Sequence, residues 1–456
     1  MLNFLNKRLD KQSKTLFKNS SWVFFANIIG SGISLLRGIV IARGLGAELF
    51  GIFTVLTAFI HFVMEIFNLN LITPIIKFGA QYKSESRPDK LVALIRASIL
   101  ATVVIAITSI VVICILTFTT YETFIKTPDL EWFAIAYSFV SALLLFNHIN
   151  RGVLRLYFKF KLNSIVQIIM DVIELLLIAT ALLLYPNELK YFLIAVLISR
   201  FVNFIIPAIA AFKELLPELK DHLDAAISLI RNEFKTIRIF TLNNSVARTV
   251  QSLINNGDIL VVGMLATNPA QAGYYAVGKK LAWAILTLFD PLTNSIYPQL
   301  CKLVAERQVK GISKMIIRLT ALASIPTTLF IITAYFFNET IVTLILGKEY
   351  LAAAGTFKLL TVAAMLYGVF FWIQPLLQAL NMTALRLWVT LAGLVSGLIS
   401  AYFLIPVYGA YGMALTMIIM NIIMPSIFLY FIIKKLRSEI IKNETDSSIA
   451  NEHEIE

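Results

Sequence analysis

A chain of 456 residues with 58% hydrophobic and only 14% charged residues is too apolar for a water-soluble globule, in which about a quarter of residues are charged. The net charge of +12 does not mark a nucleic-acid binder, because the basic residues follow a membrane topology. Two cysteines, Cys114 and Cys301, are too few for a disulfide framework and match no metal-ligand spacing.

The first 18 residues are polar and basic, and the apolar run after them lacks a small-residue cleavage site, so it reads as a retained helix. Runs of about 20 predominantly apolar residues, the length that spans the hydrocarbon core, follow one another along the chain. They lie at 20–42, 49–73, 91–118, 131–149, 162–185, 190–212, 239–266, 273–297, 315–337, 355–380, 387–405 and 410–433. The predicted fold is therefore an all-α polytopic membrane protein with twelve transmembrane helices. If the N-terminus is cytoplasmic, the inner segments hold the basic sets at 77–96, 151–161, 213–238, 302–318, Arg386 and 434–442, whereas the outer loops hold only Arg43, Lys126, Lys190 and Lys348. This positive-inside bias puts both termini in the cytoplasm, with the basic residues also drawn to anionic membrane lipids.

The main charged interruption, Lys213 to Arg238, divides the helices six and six. Within it Leu219, Leu223, Ile227, Ile230 and Phe234 recur at helical spacing, which predicts a cytoplasmic amphipathic helix on the membrane surface. The expected organisation is an N-terminal six-helix lobe at 1–212, this linker at 213–238, a C-terminal six-helix lobe at 239–434, and a polar cytoplasmic tail at 435–456. The lobes read as parallel repeats, since GLGAELFGIFTVLTA (44–58) is matched weakly by MLATNPAQAGYYAVGKKLA (264–282). Prolines at 207, 291, 298, 326, 375 and 425 fall in or at the ends of helices, where each removes a hydrogen bond and permits a kink.

Charged and polar side chains inside the spans are expensive in hydrocarbon and mark functional candidates. Asn244, Arg248, Gln251, Asn255 and Asp258 share one face of the seventh helix. Asp258 and Lys280 lie equally far from Pro269, as do Arg248 and Asp290, so these two pairs are expected to meet or to share an aqueous cavity. Glu174 and Arg200 lie equally far from Asn187 and form a third expected pair. Asp171 shares a face with Glu174 and Gln167, and Glu65 shares one with His61 and Asn68; neither acid has an opposite charge at its depth by this count. Arg37 has none either, and a guanidinium facing a cavity grips phosphate with two parallel hydrogen bonds. Lys279 and Lys358 are the remaining intramembrane bases. His61 and His148 read as packing residues. The chain has no nucleophile elbow, Walker loop or HExxH motif, and its short outer loops leave little room for catalytic groups, so the reading is a non-enzyme that needs no cofactor.

The segment NIIGSGISLLRGIVIARGLGAELFGIFTVL (27–56), with its ARxLGxxxFG turn at Ala42 to Gly51, resembles the first two helices of bacterial polysaccharide flippases. DILVVGMLATNPAQAGYYAVGKKL (258–281), LILGKEYLAAAGTFKLL (344–360) and LIPVYGAYGMALT (404–416) resemble further signatures of that family, in the same order. The resemblance implies the multidrug, oligosaccharidyl-lipid and polysaccharide exporter superfamily, with two six-helix lobes around a central cavity. It implies movement of undecaprenyl-diphosphate-linked oligosaccharide repeat units for O-antigen, capsule or exopolysaccharide assembly, beside a polymerase and glycosyltransferases. Arg37, Arg248, Lys279 and Lys280 are then the candidate diphosphate receivers, with Asn244, Gln251 and Asn255 beside them. Glu65, Asp171, Glu174, Asp258 and Asp290 are candidates for coupling to H⁺ or Na⁺. A cation-coupled multidrug antiporter and a membrane polymerase or ligase are the competing readings.

Overall fold

The computed structural model describes residues 11–453 except 125–129, 187, 223, 307 and 381; a further set of side chains within helices, 243, 244, 246–248, 250, 251, 253–255 and 290–295 among them, lies outside the description. Contacts divide the chain into two compact units, Met1–Met264 and Leu265–Glu456. Unit 1 contains α1 (Lys11–Phe67), α2 (Ile72–Ser84), α3 (Pro88–Phe124), α4 (Glu131–Leu144), α5 (Asn147–Leu156), α6 (Phe160–Leu184), α7 (Leu189–Asp221), a 3₁₀ turn (Ile227–Ile230) and α8 (Arg231–Leu265). Unit 2 contains α9 (Ala270–Trp283), a 3₁₀ segment (Ala284–Leu288), α10 (Asp290–Ala305), α11 (Val309–Leu346), a 3₁₀ turn (Lys348–Tyr350), α12 (Ala353–Val369), α13 (Ile373–Ala379), α14 (Thr383–Tyr408) and α15 (Ala410–His453). The described residues contain no strand, as hydrocarbon requires of a chain that satisfies its backbone within each segment.

Nine helical segments among the described residues are long and apolar enough to cross a membrane, against twelve expected, and the difference has three sources. The first two expected spans run together as Phe25–Ser84, because within α1 only Gly46 leaves helical geometry (φ 73°, ψ 172°). Within α8 the described residues form only a shorter apolar stretch, Asn256–Leu265. The expected span at 273–297 is broken into α9, a 3₁₀ segment and α10.

The stretch 213–238 is not one amphipathic helix. Its start continues α7 to Asp221, and its end opens α8 at Arg231. Its apolar residues Leu215, Ile230 and Ile237 are buried in a core with Ile75, Phe78 and Tyr82 of α2 and Leu91 and Leu94 of α3. The division between units falls a full helix later than this stretch, after Met264. Packing accounts for that: Gly263 of α8 lies so close to Val55 of α1 that a Cβ there would sit 2.6 Å from Val55 Cγ2.

Glycines carry the helix junctions that require them. Gly46, Gly347 (φ 102°) and Gly409 (φ 56°) adopt positive φ, which costs other residues about 1–2 kcal/mol. At Gly409 a Cβ would collide with Gln271, whose Oε1 accepts the Ala410 N–H at 2.9 Å and so caps the start of α15. Gly393 and Gly397 of α14 sit against Met424 and Met420 of α15, a small-xxx-small contact that brings two membrane helices close.

One end of unit 1 is tied by charge. Glu233 at the start of α8 accepts from Tyr82 Oη at 2.5 Å and from Lys90 Nζ at 2.7 Å. Lys83 pairs with Glu218 at 2.6 Å, Lys159 pairs with Glu214 at 3.1 Å, and Arg96 Nη1 donates to the Ala225 carbonyl at 2.7 Å. Segments read from sequence as inner loops thus meet one another. The donors from Lys90 and Tyr82 hold the Glu233 carboxyl below its ordinary value of 4.5. Because the folded value is depressed, the stabilisation is complete above pH 4.5 and is lost as pH falls through the lower folded value. We expect Glu233→Gln to lower stability at neutral pH by about 1 kcal/mol, given its partial exposure, and to flatten the acid limb of a melting-temperature profile. An unchanged acid limb would remove Glu233 as its source.

Candidate functional site

The polar centre of unit 1 forms where two membrane segments are interrupted. Between α1 and α2 the helix opens at residues 68–71, and between α4 and α5 it opens at Leu145 and Phe146. Opening a helix in hydrocarbon frees backbone groups that must find new partners. At the first break α8 supplies them: Ser245 Oγ accepts the Asn70 N–H at 2.9 Å, and Thr249 Oγ1 donates to the Glu65 carbonyl at 3.0 Å. Beside the second, the Asn147 side chain ties α5 to α7, its Nδ2 donating to the Asn203 carbonyl at 3.0 Å.

Two glycines let α6 pack against α1 in parallel: a Cβ at Gly30 would lie 3.1 Å from Asp171 Oδ2, and one at Gly44 would lie 2.6 Å from Leu182 Cδ1. This brings Glu174 of α6 to Arg37 of α1, with Oε2 2.6 Å from Nη1. The same carboxylate lies 3.7 Å from Arg200 Nη2 and accepts from Asn203 Nδ2 at 3.0 Å. A second chain runs beside it: Arg151 Nη2 donates to Gln167 Oε1 at 2.5 Å, and Gln167 Nε2 donates to Asp171 Oδ2 at 3.1 Å. Together these side chains line a cavity of about 350 Å³, completed by Ile72, Leu144, Asn147, His148 and Met170. Three arginines face two carboxylates in this lining, so the wall carries a surplus of positive charge.

The Glu174–Arg200 pair matches the depth count. Arg37, expected without an acid partner, is instead bound to Glu174, because α1 lies beside α6, to which no loop joins it, and counting outward from loops compares only consecutive helices. Asp171, also expected alone, reaches Arg151 through the Gln167 amide. Arg151 falls in a basic set read from sequence as an inner loop, and α5 places it in the cavity wall. Glu65 accepts from Asn68 Nδ2 at 3.0 Å, and that amide lies 3.3 Å from His148 Nε2. His61 Nε2 sits 3.2 Å from Tyr137 Oη, with the Arg200 guanidinium 5.8 Å from the Tyr137 ring centroid.

The remaining candidates are not brought into this cavity's described lining. Asp258 is buried, and its Oδ1 accepts the Ile259 N–H at 2.9 Å. Lys279 and Lys280 belong to α9 of unit 2, where Lys279 Nζ lies 5.8 Å from the Trp283 ring centroid. Lys358 Nζ lies 3.5 Å over the Tyr335 ring. The side chains of Asn244, Arg248, Gln251, Asn255 and Asp290 lie outside the described residues. Among the described residues no group of three His, Cys, Asp or Glu side chains is placed to hold a metal ion.

Removing the acid between two arginines leaves buried charge unanswered. Glu174→Gln is expected to lower stability by about 3 kcal/mol, read from denaturation of the detergent-solubilised protein. Arg37→Met combined with Glu174→Leu is expected to cost less than the sum of the two single variants, and a cost equal to that sum would show that the pair is not coupled.

A sequence model of the family described as polysaccharide biosynthesis protein matches residues 16–304. No curated protein sequence matches the chain. Among solved structures, the lipid II flippase MurJ in its inward closed conformation aligns over 93% of this chain and 90% of its own, with a TM-score of 0.65 and 16% identity. An inward-facing multidrug resistance MATE family transporter of the MOP superfamily aligns over 90% and 96%, with a TM-score of 0.66 and 14% identity. A MOP superfamily transporter from Pyrococcus furiosus, described as having a binding pocket of reverse polarity, gives a TM-score of 0.58 at 14% identity over 92% and 96%. These alignments establish the fold, and the family model, matching more than half of the sequence, establishes membership: this multi-pass membrane protein belongs to the polysaccharide biosynthesis protein family.

Proposed function

We propose that the protein is a flippase that moves undecaprenyl-diphosphate-linked oligosaccharide repeat units across the cytoplasmic membrane by alternating access. It acts as a transporter, not an enzyme, and serves surface polysaccharide assembly, of O-antigen, capsule or exopolysaccharide type, beside glycosyltransferases and a polymerase. The observation that carries this reading is the cavity in unit 1, where Arg37, Arg151 and Arg200 outnumber Asp171 and Glu174. Such a wall favours an anionic, hydroxyl-rich head group over a cationic drug. The substrate's lipid tail stays in the bilayer, so only the head group needs a polar path. Arg248, Lys279 and Lys280, with Asn244, Gln251 and Asn255, are proposed as further head-group contacts. The bias of basic residues toward the inner segments supports a cytoplasmic position for both termini.

One observation favours cation-coupled antiport as the second reading: Asp171 and Glu174 lie a helical turn apart on the same cavity wall. In that reading they, with Glu65, Asp258 and Asp290, bind H⁺ or Na⁺. The two mechanisms are compatible if ion binding drives head-group transport.

Deleting the protein is expected to leave labelled lipid-linked repeat units on the cytoplasmic leaflet and to abolish surface polysaccharide. Undiminished surface polysaccharide would exclude the flippase reading. Arg151→Ala, which leaves the Arg37–Glu174–Arg200 group intact, is expected to reduce transport about tenfold or more, equivalent to one lost charge-assisted contact. Asp171→Asn separates the readings: it abolishes the response of transport to an imposed H⁺ or Na⁺ gradient only if coupling runs through that acid.

A further inference from the structure

Unit 2 repeats the architectural device of unit 1 with different chemistry. The expected span at 273–297 is interrupted by the 3₁₀ segment Ala284–Leu288, and the expected span at 355–380 is interrupted at residues 370–372 between α12 and α13. These are the eighth and tenth spans of the sequence reading, the counterparts of the second and fourth spans that open in unit 1. A non-helical backbone at membrane depth is tolerated where it is buried in protein or lines a cavity, and interrupted helices commonly build transporter binding sites. Here both interruptions converge on one cavity of about 230 Å³. Gly368 permits the approach, since a Cβ there would lie 3.0 Å from Leu286 Cδ2.

The walls of this cavity are aromatic. Phe289 from the first interruption meets Phe371 from the second with centroids 5.5 Å apart, and Phe370, Tyr367 and Phe428 extend the surface. Among these rings stands Gln374, whose Oε1 is buried with no hydrogen-bond partner among the described residues. Asn421 holds its amide on the same wall by donating to the Ala363 carbonyl at 3.3 Å. A buried acceptor without a donor calls for a ligand that brings one. A hydrocarbon tail brings none. A pyranose ring does: its C–H face suits the negative faces of aromatic rings, and its hydroxyl groups donate to an amide oxygen. The volume lies below that of pockets for drug-sized molecules, ~300–1,000 Å³, and suits one small ring.

We infer that this aromatic cavity of unit 2 binds a single pyranose ring of the transported glycan. The assignment rests on the flippase reading and adds a sugar subsite to it. It is tested with the full-length protein in nanodiscs by measuring binding of bare undecaprenyl diphosphate and of the same lipid carrying glucose, galactose or N-acetylglucosamine. At least one sugar is expected to tighten binding about tenfold over the bare lipid. Gln374→Leu and Tyr367→Ala are expected to remove that increment, while bare-lipid affinity, unchanged, reports that each variant is folded. Tyr367 is 51% exposed, so its truncation leaves the core intact. Retention of the increment in both variants overturns the inference, as does its absence for all three sugars when the bare lipid binds. Loss of bare-lipid affinity in a variant whose melting temperature is unchanged assigns the cavity to the tail and overturns it too. Failure of all four lipids to bind would instead overturn the flippase reading, and this inference with it.

Discussion

Charge in hydrocarbon must be answered locally, and in unit 1 one carboxylate answers most of it. Glu174 lies against Arg37 and Arg200 and accepts from Asn203, so α1, α6 and α7 are joined at a single buried point. Isolated ions taken out of water carry penalties of several kcal/mol each, which makes register among these helices specific: shifting any of them by a turn would strand a charge. The glycines at 30 and 44 are the steric complement of the same constraint. They let α6 approach α1 closely enough for a 2.6 Å pair to form.

The opening of helices obeys a related rule. Backbone groups freed at residues 68–71 are met by Ser245 and Thr249 of α8, which explains why α8 belongs by contact to unit 1 although its charge-rich approach suggested the start of a new lobe. In unit 2 the turn at residues 370–372 is held by Trp372, whose Nε1 donates to Thr320 Oγ1 of α11 at 2.9 Å. The interruptions at residues 68–71 and 370–372 are therefore tied to a neighbouring helix.

Much of this was legible in the sequence because hydropathy and loop charge report on membrane topology directly. The all-helical architecture, the Glu174–Arg200 pair and the glycine turns of the family signatures were all readable. Gly409 and Gln271 show why such signatures persist at short range: one supplies the backbone angle and the other caps the helix that follows. Contacts between helices that no loop joins were not readable. Arg37 looked isolated for that reason, and Arg151 looked like a loop residue because Asn147, His148, Asn150 and Arg155 masked the helix that carries it into the cavity. The interruption at residues 370–372 leaves no mark in hydropathy, since Phe370, Phe371 and Trp372 are as apolar as the helices they separate.

The anchoring of the interruptions has a consequence for how such a protein can change. Ser245 and Thr249, which hold the opened backbone at residues 68–71, and Thr320, which holds the Trp372 side chain, are not the side chains that line the cavities. Scaffold and lining are thus separable: a lineage can rewrite one cavity from charged to aromatic, and so exchange one cargo for another, while the hydrogen bonds that keep the helices open stay as they are. The two units of this chain, one lined by arginines and the other by phenylalanines, present both outcomes within a single polypeptide.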